Sequence, residues 1–218
     1  MVQTIPSFVL SLLLLLGAAG ADPDLLVDFC VANTSAAQDF FFNGVPCIDP
    51  AEARGSHFTT SALSTPGNTS ANPFGFSGTI TDVSVLPGGN GQGLTILRED
   101  FAPQGVLPLH THPRSSEAVM VLQGELLVGF IDTANRMFAQ RLRPMEVFMF
   151  PRGLIHFQYN PNPSSPALAI AVFNSQNPGA QLVISTFVSN PPMDIEPLKK
   201  SYQISEEEVQ TIRKNLGA

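Results

Sequence analysis

In the stretch Leu107–Glu125, LPLHTHPRSSEAVMVLQGE, two of the chain's four histidines stand two residues apart, and Glu117 follows five residues after His112. Imidazole and carboxylate both ligate metals, and side chains two apart on a β-strand project from one face, so His110 and His112 can share one ion. Glu117 has the opposite parity to His112. The intervening Pro-Arg-Ser-Ser can form a turn or bulge that returns its carboxylate to the same centre. A fourth candidate, His156, lies in LIHFQYN, where Leu154, His156 and Gln158 share one strand face. Three imidazoles and one carboxylate make an N3O donor set that suits Mn(II) or Fe(II), and leave two positions open on a six-coordinate ion. Zn(II) is usually satisfied by four ligands. The competing reading is a polar strand end at His-Thr-His with a hydrogen-bonded core histidine at 156; the in-range carboxylate and the separate strand favour the ligand set. His57 lies beside Ser56 in an irregular stretch and reads as an ordinary surface residue. No serine sits in a Gly-x-Ser-x-Gly elbow, and neither common phosphate-binding glycine loop is present.

Such a constellation needs strands to hold it. From Thr79 to Val188 the chain runs through apolar stretches, TITDVSVL, GLTILRED, EAVMVLQ, ELLVGFID, EVFMFP, LIHFQYN, ALAIAVF and QLVISTFV, punctuated by Gly, Pro or Asn. That spacing predicts an all-β sandwich or small barrel. Runs such as AVMVL and ALAIAVF, apolar at both parities, predict strands enclosed in a double-layered sheet. In the 218 residues, charged side chains make up only 13%, against about 25% in an average domain. With 19 prolines and 17 glycines, this favours short strands and many turns over long helices.

The ends read differently. MVQTIPSFVLSLLLLLGAAGA has an apolar run from Phe8 to Leu16 and small residues ending at Ala21, which predicts a signal peptide over residues 1–21 although no Lys or Arg precedes the run. The run is too short to span about 30 Å of hydrocarbon, so no membrane span is expected after cleavage. Secretion favours pairing of Cys30 with Cys47 over two free thiols. Asn33 and Asn68 each open an Asn-x-Ser acceptor for glycosylation. A net charge of −7 without a basic cluster argues against nucleic-acid binding. Residues 22–78 read as an N-terminal extension, 79–190 as the metal-binding barrel and 191–218 as a helical tail. In that tail Ser205 and Glu208 form a capping box, Ile204 and Val209 a hydrophobic staple, and Val209, Ile212 and Leu216 an apolar stripe. The stripe can dock on its own domain or on another subunit.

Taken together, these residues resemble the germins and germin-like proteins, secreted plant members of the cupin superfamily. The first cupin box matches Gly105-VLPL-His110-Thr-His112-PRSS-Glu117-AVMVLQ-Gly124, and the second Pro151-Arg-Gly153-LI-His156-FQY-Asn160. DPDLLVDFCVA, the FNSQNPG run from Phe173 to Gly179 and the SNPP before the tail are further signatures. The resemblance implies a cupin jelly-roll barrel, one manganese on His110, His112, Glu117 and His156, and a Cys30–Cys47 bridge. It also implies a homohexamer built as a trimer of dimers, clasped by the C-terminal helices, in the apoplast or cell wall.

Departures narrow what carries over. Oxalate oxidases of the germin group have asparagines where this chain has Leu97 and Leu107, so a dianion would be desolvated without replacement hydrogen bonds and oxalate oxidation is disfavoured. Met145, after Pro144, stands where a glycine commonly opens the turn into EVFMFPRG. The expected activity is manganese-dependent superoxide dismutation in defence or cell-wall processes, with Gln158 or Asn160 orienting a water. The alternatives are a metal-stapled, non-enzymatic glycoprotein that binds wall components or a receptor, and a nucleotide-sugar phosphodiesterase using Arg98 and Arg114.

Overall fold

The structure, a computed structural model, describes residues 27–35 and 44–217. The expected signal segment lies outside them. Ten strands, β1 (Phe76–Ile80), β2 (Thr95–Phe101), β3 (Val106–Thr111), β4 (Glu117–Gln123), β5 (Leu126–Ile131), β6 (Met137–Leu142), β7 (Val147–Phe150), β8 (Ile155–Tyr159), β9 (Ala167–Phe173) and β10 (Gln181–Leu182), are followed by helices α1 (Ile195–Tyr202) and α2 (Glu206–Asn215). They form two antiparallel five-stranded sheets, β1-β2-β9-β4-β7 and β10-β3-β8-β5-β6. This is the all-β jelly roll read from the sequence. Among the described residues, no helix is long and apolar enough to cross a membrane.

One end of the space between the sheets is filled by Phe101, Val119, Val121, Leu126, Val128, Leu142, Phe150, Ala167 and Ala169, all buried. Each of the larger apolar side chains contributes about 1.5–3 kcal/mol by leaving water. The other end is polar and holds the histidines. Alternation sorts the two sets. On β9 the odd-numbered residues Ala167, Ala169, Ala171 and Phe173 face inward, and on β4 Glu117, Val119 and Val121 do.

Three strand readings need correction. TITDVSVL is strand only to Ile80. Asp82 then accepts a hydrogen bond from the Ser84 backbone N–H at 2.8 Å, and this Asx turn bends the chain away. QLVISTFV gives two strand residues and then a short 3-10 helix, Val183–Thr186, where the Thr186 hydroxyl donates to the Val183 carbonyl at 3.0 Å, a local bond that competes with the ladder. Conversely, β6 had no apolar pattern to reveal it. It is an edge strand exposed along its first five residues and held by pairing with β5.

Cys30 and Cys47 are disulfide-bonded. Buried Asn90 ties their loop to the barrel, with its amide donating to the Val45 carbonyl at 2.7 Å and its carbonyl accepting from the Val45 N–H at 3.0 Å. At the other end, Phe187, Leu198 and Val209 are buried together, with Ile195, Ile204, Ile212 and Leu216 packed around them. The apolar stripe of α2 is therefore covered by its own chain. The Ser205–Glu208 capping box forms as expected.

Met145 adopts φ +71°. It follows Pro144 in a turn closed by the Glu146 N–H on the Arg143 carbonyl at 3.0 Å, the arrangement of a type II turn whose third residue is normally glycine. A left-handed conformation costs an L-residue roughly 1–2 kcal/mol, and Met145, 72% exposed, recovers little of that by packing. Met145→Gly is expected to stabilise the fold by about 1 kcal/mol, read by chemical denaturation; unchanged or lower stability would mean that the side chain is held by contacts outside the chain.

Candidate metal centre

Two backbone devices assemble the site. Leu107 pairs with Gln158 and His110 with His156, so β3 spends one more residue than β8 between these pairs. This bulge at Pro108–Leu109 lets Leu107 and His110 both face inward despite their odd spacing. Next, Pro113-Arg114 turns the chain from β3 in one sheet to β4 in the other. The Pro-Arg-Ser-Ser segment thus supplies the turn expected above, and that turn runs between the two sheets rather than along one strand. It carries Glu117 across the barrel so that its carboxylate meets the histidines from the opposite sheet.

That turn is braced by the Phe173–Gly179 run. The Asn174 side-chain carbonyl accepts from Ser115 Oγ at 2.8 Å and the Ser116 N–H at 2.9 Å. Arg114 donates to the Asn177 backbone carbonyl at 2.6 Å and its side-chain oxygen at 2.8 Å. The sequence flagged this run only as a signature; its partners lie about sixty residues upstream, beyond local pattern.

His110, His112, Glu117 and His156 are all buried, and their ligand atoms lie within 4.8 Å of one another. Their protonation is legible from the surroundings. Nδ1 of His110 faces the Pro108 carbonyl at 2.8 Å, Nδ1 of His156 the Leu154 carbonyl at 2.8 Å, and Nδ1 of His112 the Gly179 carbonyl. A carbonyl only accepts, so each Nδ1 carries a hydrogen and Nε2 is the nitrogen that each ring offers inward as a ligand. There Nε2 of His110 lies 3.2 Å from Nε2 of His112, and Glu117 Oε2 lies 3.0 Å from His112 Nε2 and 3.2 Å from His156 Nε2. Acceptors this close repel unless a cation lies among them. The donor set therefore fits a metal ion, with protons as its competitors.

Neighbouring side chains fix the rings. Phe150 stacks on His156 with centroids 4.4 Å apart, and Phe173 meets the edge of His112 at 4.7 Å. Gln158 Nε2 donates to Glu117 Oε1 at 2.8 Å, leaving Oε2 as the oxygen that faces the histidines. Burial, and then the nearby His156 and His112, push the His110 pKa down to about 4. Burial alone would raise Glu117, but the His112 and His156 rings against its carboxylate outweigh it and hold the carboxyl down at about 2.

The other sequence candidates fall as follows. Leu97 pairs with buried Ala171 and shares the inward face of β2, while Leu107 packs on the apolar core. Asn160 is a correction. Its amide donates to the Ala102 and Ser165 carbonyls, both at 2.9 Å, and its oxygen accepts from the Asn162 N–H at 3.0 Å, so of the two amides only Gln158 reaches the ligands. His57 stays outside the cluster, accepting from the Arg54 N–H at 3.1 Å. Asn68 is exposed in a turn and Asn33 is half-buried.

Comparison with known proteins places this architecture. Residues 61–210 match the cupin family. The chain is 50% identical over 212 residues to germin-like protein subfamily 1 member 1 of Arabidopsis thaliana, covering 96% of this chain and 98% of that protein. The chain is a germin-like cupin. Germin-like protein 3-1 of Oryza sativa subsp. japonica is likewise 50% identical over 213 residues, covering 95% of each chain. Among solved structures, an oxalate oxidase superposes with a TM-score of 0.84 at 39% identity, covering 89% of this chain and 98% of the other. This germin-like protein thus combines a disulfide, a jelly roll and a buried site of three histidines and one glutamate suited to a metal.

The His110 environment gives a pH expectation for the metal-free protein. Its folded pKa, about 4, lies below the ordinary 6.5, so the unfolded chain takes up the proton first as pH falls. The stability tied to neutral His110 is complete above pH 6.5 and is lost as pH falls towards 4, a decline of about 3 kcal/mol over that window. Denaturant titrations at pH 7 and pH 4.5 measure it; equal stabilities would contradict the assigned environment.

Proposed function

We propose that this germin-like protein is secreted to the apoplast as a manganese-loaded homohexamer and dismutates superoxide there. The convergence of three Nε2 lone pairs and one carboxylate oxygen within 4.8 Å carries the reading. That N3O set suits manganese and leaves coordination positions for a small molecule. Bound manganese would supply a one-electron couple between Mn(II) and Mn(III), which the conversion of two superoxide anions and two protons into dioxygen and hydrogen peroxide requires. The chain's part is to hold the four ligands, to fix Glu117 through Gln158, and to shield the rings with Phe150 and Phe173. Asn33 and Asn68 are proposed glycan acceptors.

Oxalate, the substrate named for the superposable oxidase, fits less well here. Leu97 and Leu107 offer a dianion apolar surface in place of donors, and desolvated carboxylates need replacement hydrogen bonds. Phosphodiester cleavage is disfavoured too. Arg98 lies on the outward face of β2, paired to Asp100 through two 2.8 Å bonds, and Arg114 is held by Asn177. A second reading keeps support from burial. His110, Glu117 and His156 are each 1% exposed, as suits a metal that only staples the barrel of a protein binding wall components or a receptor. Assaying the purified oligomer with superoxide, oxalate and a nucleotide sugar separates these readings: superoxide consumption abolished by chelation supports the first, and inactivity towards all three with metal bound supports the staple.

A further inference from the structure

Glu99 is a fully buried acidic residue outside the ligand motif. It lies mid-strand on β2 between Leu97 and Phe101 on the inward face and is 0% exposed. Its register partners are Gly78 on β1 and Ala169 on β9, neither of which can neutralise a charge. Arg98, next in sequence, points to the other face and is committed to Asp100. The groups that do face Glu99 are Gln158 from β8, whose Nε2 donates to Glu99 Oε1 at 2.9 Å, and, beyond it, Glu117 from β4. One amide nitrogen thus bonds two carboxyl groups.

We propose that Glu99 is a positioning residue of the metal centre, acting through Gln158 to hold Glu117 with Oε2 presented to the metal. The hydrogen-bond accounting supports it. Both Nε2 hydrogens of Gln158 are used, one on each carboxyl group, so the amide cannot flip without losing two bonds. Two buried oxygens then lack donors, Glu99 Oε2 and Gln158 Oε1. They lie on two side chains already bonded to each other. A proton on Glu99 Oε2 would supply a donor where these two side chains lack one, and Gln158 Oε1 is a buried acceptor without a donor. Burial, and then the nearby negative charge of Glu117, favour the neutral acid by raising the Glu99 pKa well above its ordinary value, against the opposing hydrogen bond from Gln158. Glu99 acts as a neutral acid and adds no second negative charge beside the ligand. This role is independent of the reaction the metal performs, so it can fail while the superoxide reading stands, and the reverse.

The test compares manganese-loaded wild type, Glu99→Gln and Glu99→Val. A carboxamide at 99 reproduces the donor and acceptor of a neutral acid, so Glu99→Gln is expected to bind manganese as tightly as wild type and keep its Mn(II) electron paramagnetic resonance spectrum. Valine frees Gln158 to rotate and is expected to weaken manganese binding by about tenfold, within the range for loss of a partner behind a metal ligand, with an altered spectrum. If Glu99→Val does not fold, the infrared difference spectrum between wild type and Glu99→Gln at neutral pH decides alone. It is expected to show the carbonyl stretch of a protonated carboxyl in wild type only. Wild-type binding and spectrum in the valine variant, binding lost equally in the glutamine variant, or no protonated-carboxyl band would each overturn the proposal.

Discussion

His156→Ala is expected to leave a folded jelly roll whose manganese affinity is at least about 100-fold lower, the upper end of what loss of a mere supporting partner costs. His156 comes from the sheet opposite Glu117 and closes the ligand set between the two layers. No other histidine can replace it, because His57 is engaged near the short 3-10 helix at Gly55–Phe58. Glu117→Gln is the isosteric companion. It removes the only anion of the set while keeping side-chain volume, and its manganese content is also expected to fall. Both are measured as metal per chain after dialysis against a weak chelator. Full occupancy in either variant would show that the metal binds elsewhere.

Stripping the metal is expected to destabilise the wild-type fold. An ion that binds only the native state contributes about 4 kcal/mol when its free concentration is a thousand times Kd, which for a domain of this size shifts the thermal midpoint by roughly 8–16 °C. The local cause is plain in the site. Without a cation, the ligand atoms of four residues that lie within 4.8 Å must take up protons or move apart. Thermal unfolding with and without chelator measures the shift, and equal midpoints after verified metal removal would mean that the barrel does not depend on the ion.

What could be read from the sequence depended on how local the signal was. His110 and His112 share a strand end, and His156 alternates with Gln158, so period-2 logic nominated them. A turn at Pro-Arg-Ser-Ser was legible and led to the right carboxylate, but the crossing of Pro113-Arg114 between sheets is a tertiary event that parity on one strand does not reveal. Asn160 has the parity of Gln158 but lies past the end of β8, where its amide caps backbone groups instead. Glu99 was missed although a signal existed. In TILREDF it occupies the parity of Leu97 and Phe101, an acid among inward apolar residues, yet beside Arg98 and Asp100 it reads as one more charge in a polar cluster. The edge strand β6, exposed almost throughout, had no pattern to read.

The most direct test of the account is to titrate manganese back into the metal-free protein while following superoxide consumption. Consumption should rise in proportion to bound metal, stop rising at one ion per chain, and exceed that of the same amount of free Mn(II). Full occupancy at His110, His112, Glu117 and His156 with consumption no greater than that of free Mn(II) would contradict it.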